Sequence, residues 1–230
     1  MTKMKVALKS IVVDSTKLLK LFVNEFLQHL KVNSHENIIG FYGISQKDLN
    51  SNEYILALEY ANGGTLRSYL ESNFKNLKWI DKLNIAQQIA KAIKHFHSHD
   101  ILHRDLISDF GLAKLISDPS ITLLELAGSI AYSDPMLLIE GDKFKRTKAS
   151  DIYSFGILLW EISSGEKPYK QHTEWSKMNH IINGNRETPV IGTPRDYINI
   201  YQECWKQEPI QCPSIDKVMQ VLERLIKLTL

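Results

Sequence analysis

Residues 101–111 read Ile-Leu-His-Arg-Asp-Leu-Ile-Ser-Asp-Phe-Gly, and two tripeptides that each contain an Asp lie within this one stretch. His103-Arg104-Asp105 comes first, and Asp109-Phe110-Gly111 begins four positions after Asp105. Taken alone, Asp109 fits a turn residue ahead of Gly111. What the two tripeptides indicate therefore depends on the segments that flank them.

The composition is that of a globular protein with a hydrophobic core: 230 residues, 43% hydrophobic and 23% charged. The formal net charge of +2 is too small to indicate a nucleic-acid partner. Two cysteines do not make a disulfide framework, which favours a reducing, intracellular location, and we predict the cytoplasm. No stretch predicts a signal peptide or a membrane span, so we expect no membrane partner.

The first part of the chain, residues 1–60, predicts a small sheet with one helix. Residues 15–32 have apolar side chains three or four positions apart, which is typical of an amphipathic helix. Its buried stripe is expected to hold Leu19, Phe22, Phe26 and Leu30. The strands are expected at residues 4–11, 37–45 and 53–60.

The second part, residues 61–230, is expected to be mainly helical. Helices are predicted at residues 79–97, 150–165, 193–205 and 214–228. The second of these is apolar almost all round, so it should be buried on every side and end at Gly165. Thr193 is the expected N-cap of the third, with Pro194 in its first turn. A small sheet-and-helix part followed by a larger helical part is an α+β arrangement.

Three histidines at alternate positions, His95, His97 and His99, could suggest a metal site. Alternate spacing does not put them on one helical face, and no nearby Cys or carboxylate completes a ligand set. We interpret them as polar residues at a fraying helix end.

Four motifs, in this order, resemble those of the eukaryotic protein kinase family. Val6-Ala7-Leu8-Lys9 is similar to the family's V-A-I-K strand, and His103-Arg104-Asp105 is similar to its catalytic loop. Asp109-Phe110-Gly111 is similar to the magnesium-binding triplet, and residues 128–135 to the end of the activation segment. Residues 154–169 and 204–209 most resemble the tyrosine-kinase-like branch. The resemblance covers nearly the whole chain and implies a two-lobe fold, with residues 1–60 as a partial N-terminal lobe and residues 61–230 as the C-terminal lobe.

The resemblance implies ATP-dependent phosphoryl transfer, with Mg²⁺, to Ser or Thr, or to Tyr, of a protein substrate. Lys9 would hold the α- and β-phosphates, and Glu25 would fix Lys9 as an ion pair. Asp105, in the loop of His103 and Arg104, would accept the proton of the attacking hydroxyl, and Asp109 would bind Mg²⁺. The nucleotide pocket would be formed by Ala7, by Leu58 as gatekeeper, and by the backbone of Glu59 and Ala61. Asp151 would brace the catalytic loop from below.

Each of these residues also has a simpler interpretation. Lys9 could be a solvated lysine that protects an edge strand from aggregation. Glu25 could be a surface glutamate, and Asp151 could be an acid that stabilises a helix start. The order of the four motifs favours the family interpretation.

The sequence departs from the family pattern at the two tripeptides. The pattern H-R-D-L-x-x-x-N places an Asn five positions after the Asp, and that position here is Phe110. A hairpin of roughly a dozen residues that separates the two triplets in the family is also absent. A displacement of about 1 Å can lower a rate roughly a hundredfold, so we expect impaired activity. Because five residues precede Val6, we also expect the Gly-rich loop to be missing.

Three further positions differ from the family pattern. Met136 and Cys212 stand where the resemblance implies a buried Glu–Arg pair. Removing one partner of such a pair costs about 3–5 kcal/mol, whereas replacing both can be neutral, so a folded helical lobe is still expected. His29 stands where the family packs an apolar residue against the Phe of the second triplet.

Three hypotheses remain open at this point. The chain is an active kinase, or a pseudokinase that binds a protein partner without catalysis, or an incomplete product joined at Leu106–Ile107. We favour a kinase domain with impaired activity, acting on a protein substrate or partner. Ser129, in the place of the usual activation-segment Thr, favours Ser/Thr over Tyr. The sequence predicts no oligomeric state.

Overall fold

The structure is a computed structural model that describes residues 5–48, 51–103 and 130–230. Its first part contains three strands and one helix, which confirms the elements predicted there. They are β1 (Val6–Val12), α1 (Thr16–Val32), β2 (Phe41–Gln46) and β3 (Glu53–Glu59).

The three strands form one antiparallel sheet in the order β1-β3-β2. Opposite β3, Ala7 pairs with Leu58 and Lys9 pairs with Leu56. Because side chains alternate along a strand, Ala7 and Lys9 share one face of the sheet. Helix α1 covers this face, and the small core there is built around buried Val13, Phe22, Leu56 and Leu58.

The predicted buried stripe of α1 is only half right. Phe22 is buried and Phe26 is partly buried, but Leu19 is 37% exposed and Leu30 is 44% exposed. The helix carries two apolar stripes of the same spacing, and only the one containing Phe22 faces the sheet. Periodicity cannot choose between two such stripes, because the sheet itself makes the choice.

The larger part is helical, as predicted, and its core surrounds a single helix. Helix α5 (Lys148–Ser164) is buried along nearly its whole length, and it ends at Gly165, whose φ of 70° is the left-handed conformation that glycine adopts readily. Helix α7 (Arg195–Cys204) has Pro194 as its N-cap, so the prediction of Thr193 as the cap was wrong by one position. The helices of this part are α2 (Leu66–Asn73), α3 (Trp79–Ser98), α4 (Pro135–Glu140), α5 (Lys148–Ser164), α6 (Glu174–Ile182), α7 (Arg195–Cys204) and α8 (Ile215–Thr229).

A second small core joins the end of α1 to α3. Val32 and Ile38, from the end of α1 and the loop after it, pack against Ala92 and Phe96 of α3. These contacts bring residues 1–60 against the helical part. Within the described part of the chain, every helix lacks the length and apolarity that a membrane crossing needs.

Candidate active site

Three residues predicted to contact a nucleotide lie together on the sheet. Lys9 and Ala7 project from β1 on the face that α1 covers, and Leu58 projects from the paired position on β3. Leu58 is 6% exposed and belongs to the small core, whereas Lys9 is exposed. The apolar surface of Ala7 and Leu58 could contact an aromatic ring, and the exposed Lys9 beside it could contact phosphates attached to that ring.

Glu25 lies within α1, the helix that packs on this same face. Its side chain lies outside the described part of the structure. The Lys9–Glu25 ion pair therefore remains a prediction.

The segment after β3 was predicted to meet the adenine through its backbone. The N–H of Glu59 donates to Gly40 O at 2.7 Å, and the Glu59 carboxylate accepts from the N–H of Gly40 at 3.0 Å. These two bonds hold Glu59 to the loop before β2. Since the Glu59 N–H is already used, the Glu59 carbonyl is the backbone group that a ligand would use. Ala61 follows in an exposed turn that leads to α2.

The first tripeptide begins at a backbone that α5 holds in place. The N–H of His103 donates to Asp151 Oδ2 at 3.0 Å, and the same oxygen lies 2.9 Å from His97 Nε2. Asp151 is 3% exposed, so these bonds form away from water. The His103 ring also packs edge-on against Phe96, with ring centroids 5.0 Å apart. Asp151 thus fastens the start of the loop, as the family resemblance implied.

The interpretation of the three histidines was wrong for His97. His97 is 7% exposed and bonds to Asp151, so it belongs to the core and not to a frayed end. His95 and His99 pack ring against ring nearer the surface, with centroids 4.5 Å apart. Sequence alone missed this because His97 pairs with a residue 54 positions away.

Arg104, Asp105 and Asp109 lie outside the described residues, as does Phe110. Their predicted roles in proton transfer and Mg²⁺ binding therefore remain predictions. Among the described residues, no three His, Cys, Asp or Glu side chains come together as metal ligands.

A buried carboxylate of α5 contacts α2 and the segment before α4, and sequence reasoning did not predict it. Glu161 of α5 is 2% exposed; it accepts from the hydroxyl of Tyr132 at 2.5 Å and pairs with Arg67 of α2. Burial raises the pKa of Tyr132, which keeps its hydroxyl protonated and donating. The signal in the sequence was Glu161, an acid within the apolar run of residues 155–162.

The positions expected to carry a buried Glu–Arg pair hold apolar and thiol groups. Met136 is partly buried, and the Cys212 thiol donates to Cys204 O at 3.1 Å. Burial is the main cause that raises the pKa of Cys212, to about 11, so the thiol stays neutral. Next to Met136, Asp134 caps helix α4 through the Met136 N–H. Neither Met136 nor the neutral Cys212 thiol puts a buried charge at these two positions.

His29 lies against the end of the sheet. Its Nε2 donates to Ile39 O at 3.2 Å, and its ring lies edge-on to Phe41 with centroids 6.1 Å apart. Burial lowers the pKa of His29, which favours the neutral ring. The expected defect against Phe110 stays untested, because Phe110 is outside the described residues.

Comparison with known proteins agrees with these features. The family profile for protein tyrosine and serine/threonine kinases matches residues 1–222. A probable LIM domain-containing serine/threonine-protein kinase of Dictyostelium discoideum is 31% identical over 205 residues, which cover 83% of this chain and 31% of that protein. The probable serine/threonine-protein kinase kinX of the same organism is 30% identical over 228 residues, covering 92% of this chain and 20% of that protein.

A more distant relative belongs to a receptor. Ephrin type-A receptor 5 of Gallus gallus is 27% identical over 212 residues, covering 84% of this chain and 20% of the receptor. The chain thus spans less than a third of the length of each of these three relatives. The family match extends over almost every residue, and the chain belongs to the protein tyrosine and serine/threonine kinase family.

Proposed function

We propose that the chain is a protein kinase domain that binds ATP with Mg²⁺ and transfers phosphate to protein Ser or Thr at an impaired rate. The preference for Ser or Thr rests on relatives that are named serine/threonine-protein kinases. Residues 1–60 act as the smaller lobe and residues 61–230 as the larger lobe, with the nucleotide between them.

The observation that carries the proposal is the anchoring of His103 by Asp151. This bond ties the start of the first tripeptide to the buried helix α5. Two residues of chain span at most about 7 Å, so the anchor at His103 restricts where Asp105 can act.

Nucleotide binding is supported by the sheet. Leu58 and Ala7 form an apolar surface for the adenine, whose amino group would donate to the Glu59 carbonyl, with the Ala61 backbone as the next contact. Lys9, on the same face, would hold the α- and β-phosphates, and Glu25 would hold Lys9. Mg²⁺ would be bound by Asp109 and the phosphates, because Mg²⁺ prefers carboxylate and phosphate oxygens.

We attribute the low transfer rate to the short separation between Asp105 and Asp109. Only three residues separate Asp105 from Asp109, and Phe110 stands where the pattern needs an Asn ligand for the second Mg²⁺. Phosphoryl transfer depends mainly on positioning and electrostatics, so a chain that binds ATP can still transfer phosphate slowly. The expected deficit is roughly a hundredfold or more.

Binding is tested by thermal unfolding of the 230-residue chain with ATP, with and without Mg²⁺. ATP at a hundred times its dissociation constant should stabilise the fold by about 2.7 kcal/mol. Lys9→Ala should remove most of this stabilisation, whereas Lys75→Ala, an exposed lysine after α2, should not. A melting temperature that ignores ATP·Mg²⁺ contradicts nucleotide binding.

The cause of the impairment is tested by lengthening the chain. A dozen-residue segment inserted between Leu106 and Ile107, copied from the matching region of the Dictyostelium LIM-domain kinase, should raise transfer at least tenfold. An insertion of the same length in Gly and Ser should not. Equal rates for the natural chain and both insertions would contradict spacing as the cause.

A second candidate function is a pseudokinase that binds a protein partner without transfer. The same shortened segment favours it, since Phe110 cannot replace an Asn ligand. It predicts a cooperative fold, a melting temperature that ATP·Mg²⁺ leaves unchanged, and no transfer after insertion. ATP binding combined with a rate that the insertion raises would exclude it.

A further inference from the structure

Helix α1 carries a second apolar stripe, next to the side that packs on the sheet. We call it the α1 outer stripe; its members are Leu19, Val23, Leu27 and Leu30, which are 37%, 43%, 50% and 44% exposed. Their spacing of four, four and three positions follows the helical repeat, so they form one continuous line. The stripe is about 16 Å long at 1.5 Å per residue, which corresponds to three turns.

At 100° per residue, the centre of the stripe lies about 100° from Phe22 around α1. The helix is therefore apolar on two adjacent sides, and each side needs a partner. The sheet is the partner of one side, which it contacts through Phe22. Single hydrophobic residues scattered over a surface need no explanation. Four hydrophobic side chains aligned along one helix are not scattered. Apolar residues at this spacing form the grooves in which a partner helix docks.

The charges beside the α1 outer stripe are positive. Lys20 and Lys31 are exposed and, at 100° per residue, both lie on the same flank of the stripe, eleven positions and about 16 Å apart. Lys31 Nζ donates to Gln28 Oε1 at 3.2 Å, a neutral partner that leaves its charge uncompensated. Glu25, the one acidic residue of α1, occupies a position on the far side of the helix from the stripe.

We propose that the α1 outer stripe is a docking site for an amphipathic helix whose apolar face is bordered on one flank by Asp or Glu residues. The partner's leucine-like side chains pack between Leu19, Val23, Leu27 and Leu30. Its carboxylates meet Lys20 and Lys31, so binding weakens as salt screens the charges.

A second copy of this chain fits the surface less well. Two α1 helices packed antiparallel, stripe to stripe, would put the lysine flanks of both copies on the same side of the interface. Packed parallel, each lysine flank would face a flank of α1 that holds no acid. Opposing like charges cost free energy, and the single acid of α1 lies away from the contact. An acidic partner satisfies both the apolar line and the charged flank.

The test uses two fluorescent model peptides of fifteen residues, both with leucines at the spacing of one helical face. One peptide carries glutamates on a single flank, and the other carries lysines at the same positions. Fluorescence anisotropy with the full chain should give at least tenfold tighter binding for the acidic peptide, and this preference should shrink when salt is raised from 50 mM to 300 mM. The pair Lys20→Glu and Lys31→Glu should reverse the preference, and it changes only exposed side chains.

Apolar packing is tested separately. Val23→Ser with Leu27→Ser should weaken binding of the acidic peptide at least tenfold. The matched control is Ile210→Ser with Leu228→Ser, at positions 94% and 75% exposed outside α1, which should leave binding unchanged. Equal affinity for the two peptides, or a preference that the Lys20 and Lys31 changes do not reverse, overturns the proposal. It is also overturned if the chain sediments as a dimer that Val23→Ser with Leu27→Ser converts to a monomer, because a second copy then covers the stripe.

Discussion

The backbone N–H of His103 donates to Asp151 Oδ2 at 3.0 Å, which fastens the first residue of the His103 tripeptide to α5, the most buried of the described helices. The same oxygen lies 2.9 Å from His97 Nε2, so one carboxylate oxygen holds both α3 and the chain that follows it. This contact links the helical core to the tripeptide that contains Asp105, the proposed proton acceptor.

Asp151→Asn should destabilise the fold. The amide keeps the shape but removes the charge that strengthens both hydrogen bonds, and hydrogen bonds to charged groups contribute about 1.5–3 kcal/mol. Urea unfolding should therefore give a loss of about 2 kcal/mol. The control is Asp216→Asn, whose carboxylate is 60% exposed and pairs with Lys94 on the surface, where a change within about 0.5 kcal/mol is expected. Equal effects of the two changes would refute a structural role for Asp151.

Tyr132→Phe should be costly because it leaves Glu161 with one donor fewer in a buried place. The bond is 2.5 Å long and its acceptor is 2% exposed, so we expect a loss of about 2 kcal/mol in the free energy of unfolding. Tyr42→Phe, at a position 50% exposed on β2, should change it by less than about 0.5 kcal/mol. A Tyr132→Phe protein as stable as the natural chain would show that this hydroxyl contributes nothing.

Gly156→Ala should destabilise the contact between α5 and α7. A Cβ at this position would lie 2.7 Å from Cys204 Cβ and 3.1 Å from Trp205 N, which is closer than atoms pack. Overpacking costs about 1–3 kcal/mol and outweighs the gain of about 1 kcal/mol from better helix propensity. Gly43→Ala, where no atom lies within 4 Å of the new Cβ, is the control and should be nearly neutral. Thermal unfolding that ranks the two variants equally would argue against close packing at Gly156.

Stability should fall as the pH drops below about 6.5. Burial lowers the pKa of His29, and burial together with the rings of His35 and His99 lowers the pKa of His95. The unfolded chain then binds more protons than the folded chain once the pH falls below 6.5, and the folded state loses stability down to the lowered pKa. Urea unfolding between pH 7.5 and 5.5 should show this loss, and His29→Gln with His95→Gln should reduce its slope. Stability that is constant or rises over this range would contradict it.

The sequence was sufficient for much of the fold because several of its signals are local. Strand and helix positions, and the end of α5 at Gly165, follow from patterns within a few residues. The local sequence of α1 could not predict which of its two apolar stripes is buried. Leu19 and Phe22 fit the same periodicity, and only the sheet in three dimensions distinguishes them.

The site residues that could be predicted from the sequence are those that lie in or near family motifs. The family resemblance named Lys9, Ala7 and Leu58, which lie on one face of the sheet, and it named Asp151, which holds His103. Their roles in nucleotide binding and catalysis remain predictions. The partners His97 and Glu161 were not predictable, since they depend on pairs 54 and 29 residues apart in the chain. A buried polar residue pairs across the fold, and one sequence does not reveal with which group.

The most direct test is the rate of γ-phosphate transfer from ATP·Mg²⁺ to a Ser/Thr peptide, measured for the natural chain and for Asp105→Asn under single-turnover conditions. If the domain binds nucleotide but is impaired, the natural chain should transfer phosphate measurably faster than Asp105→Asn, by up to about a hundredfold. The difference is small because the shortened loop already misaligns Asp105 with the phosphate. A natural rate more than a thousandfold above that of Asp105→Asn would contradict impairment, and identical rates would contradict catalysis and favour the pseudokinase.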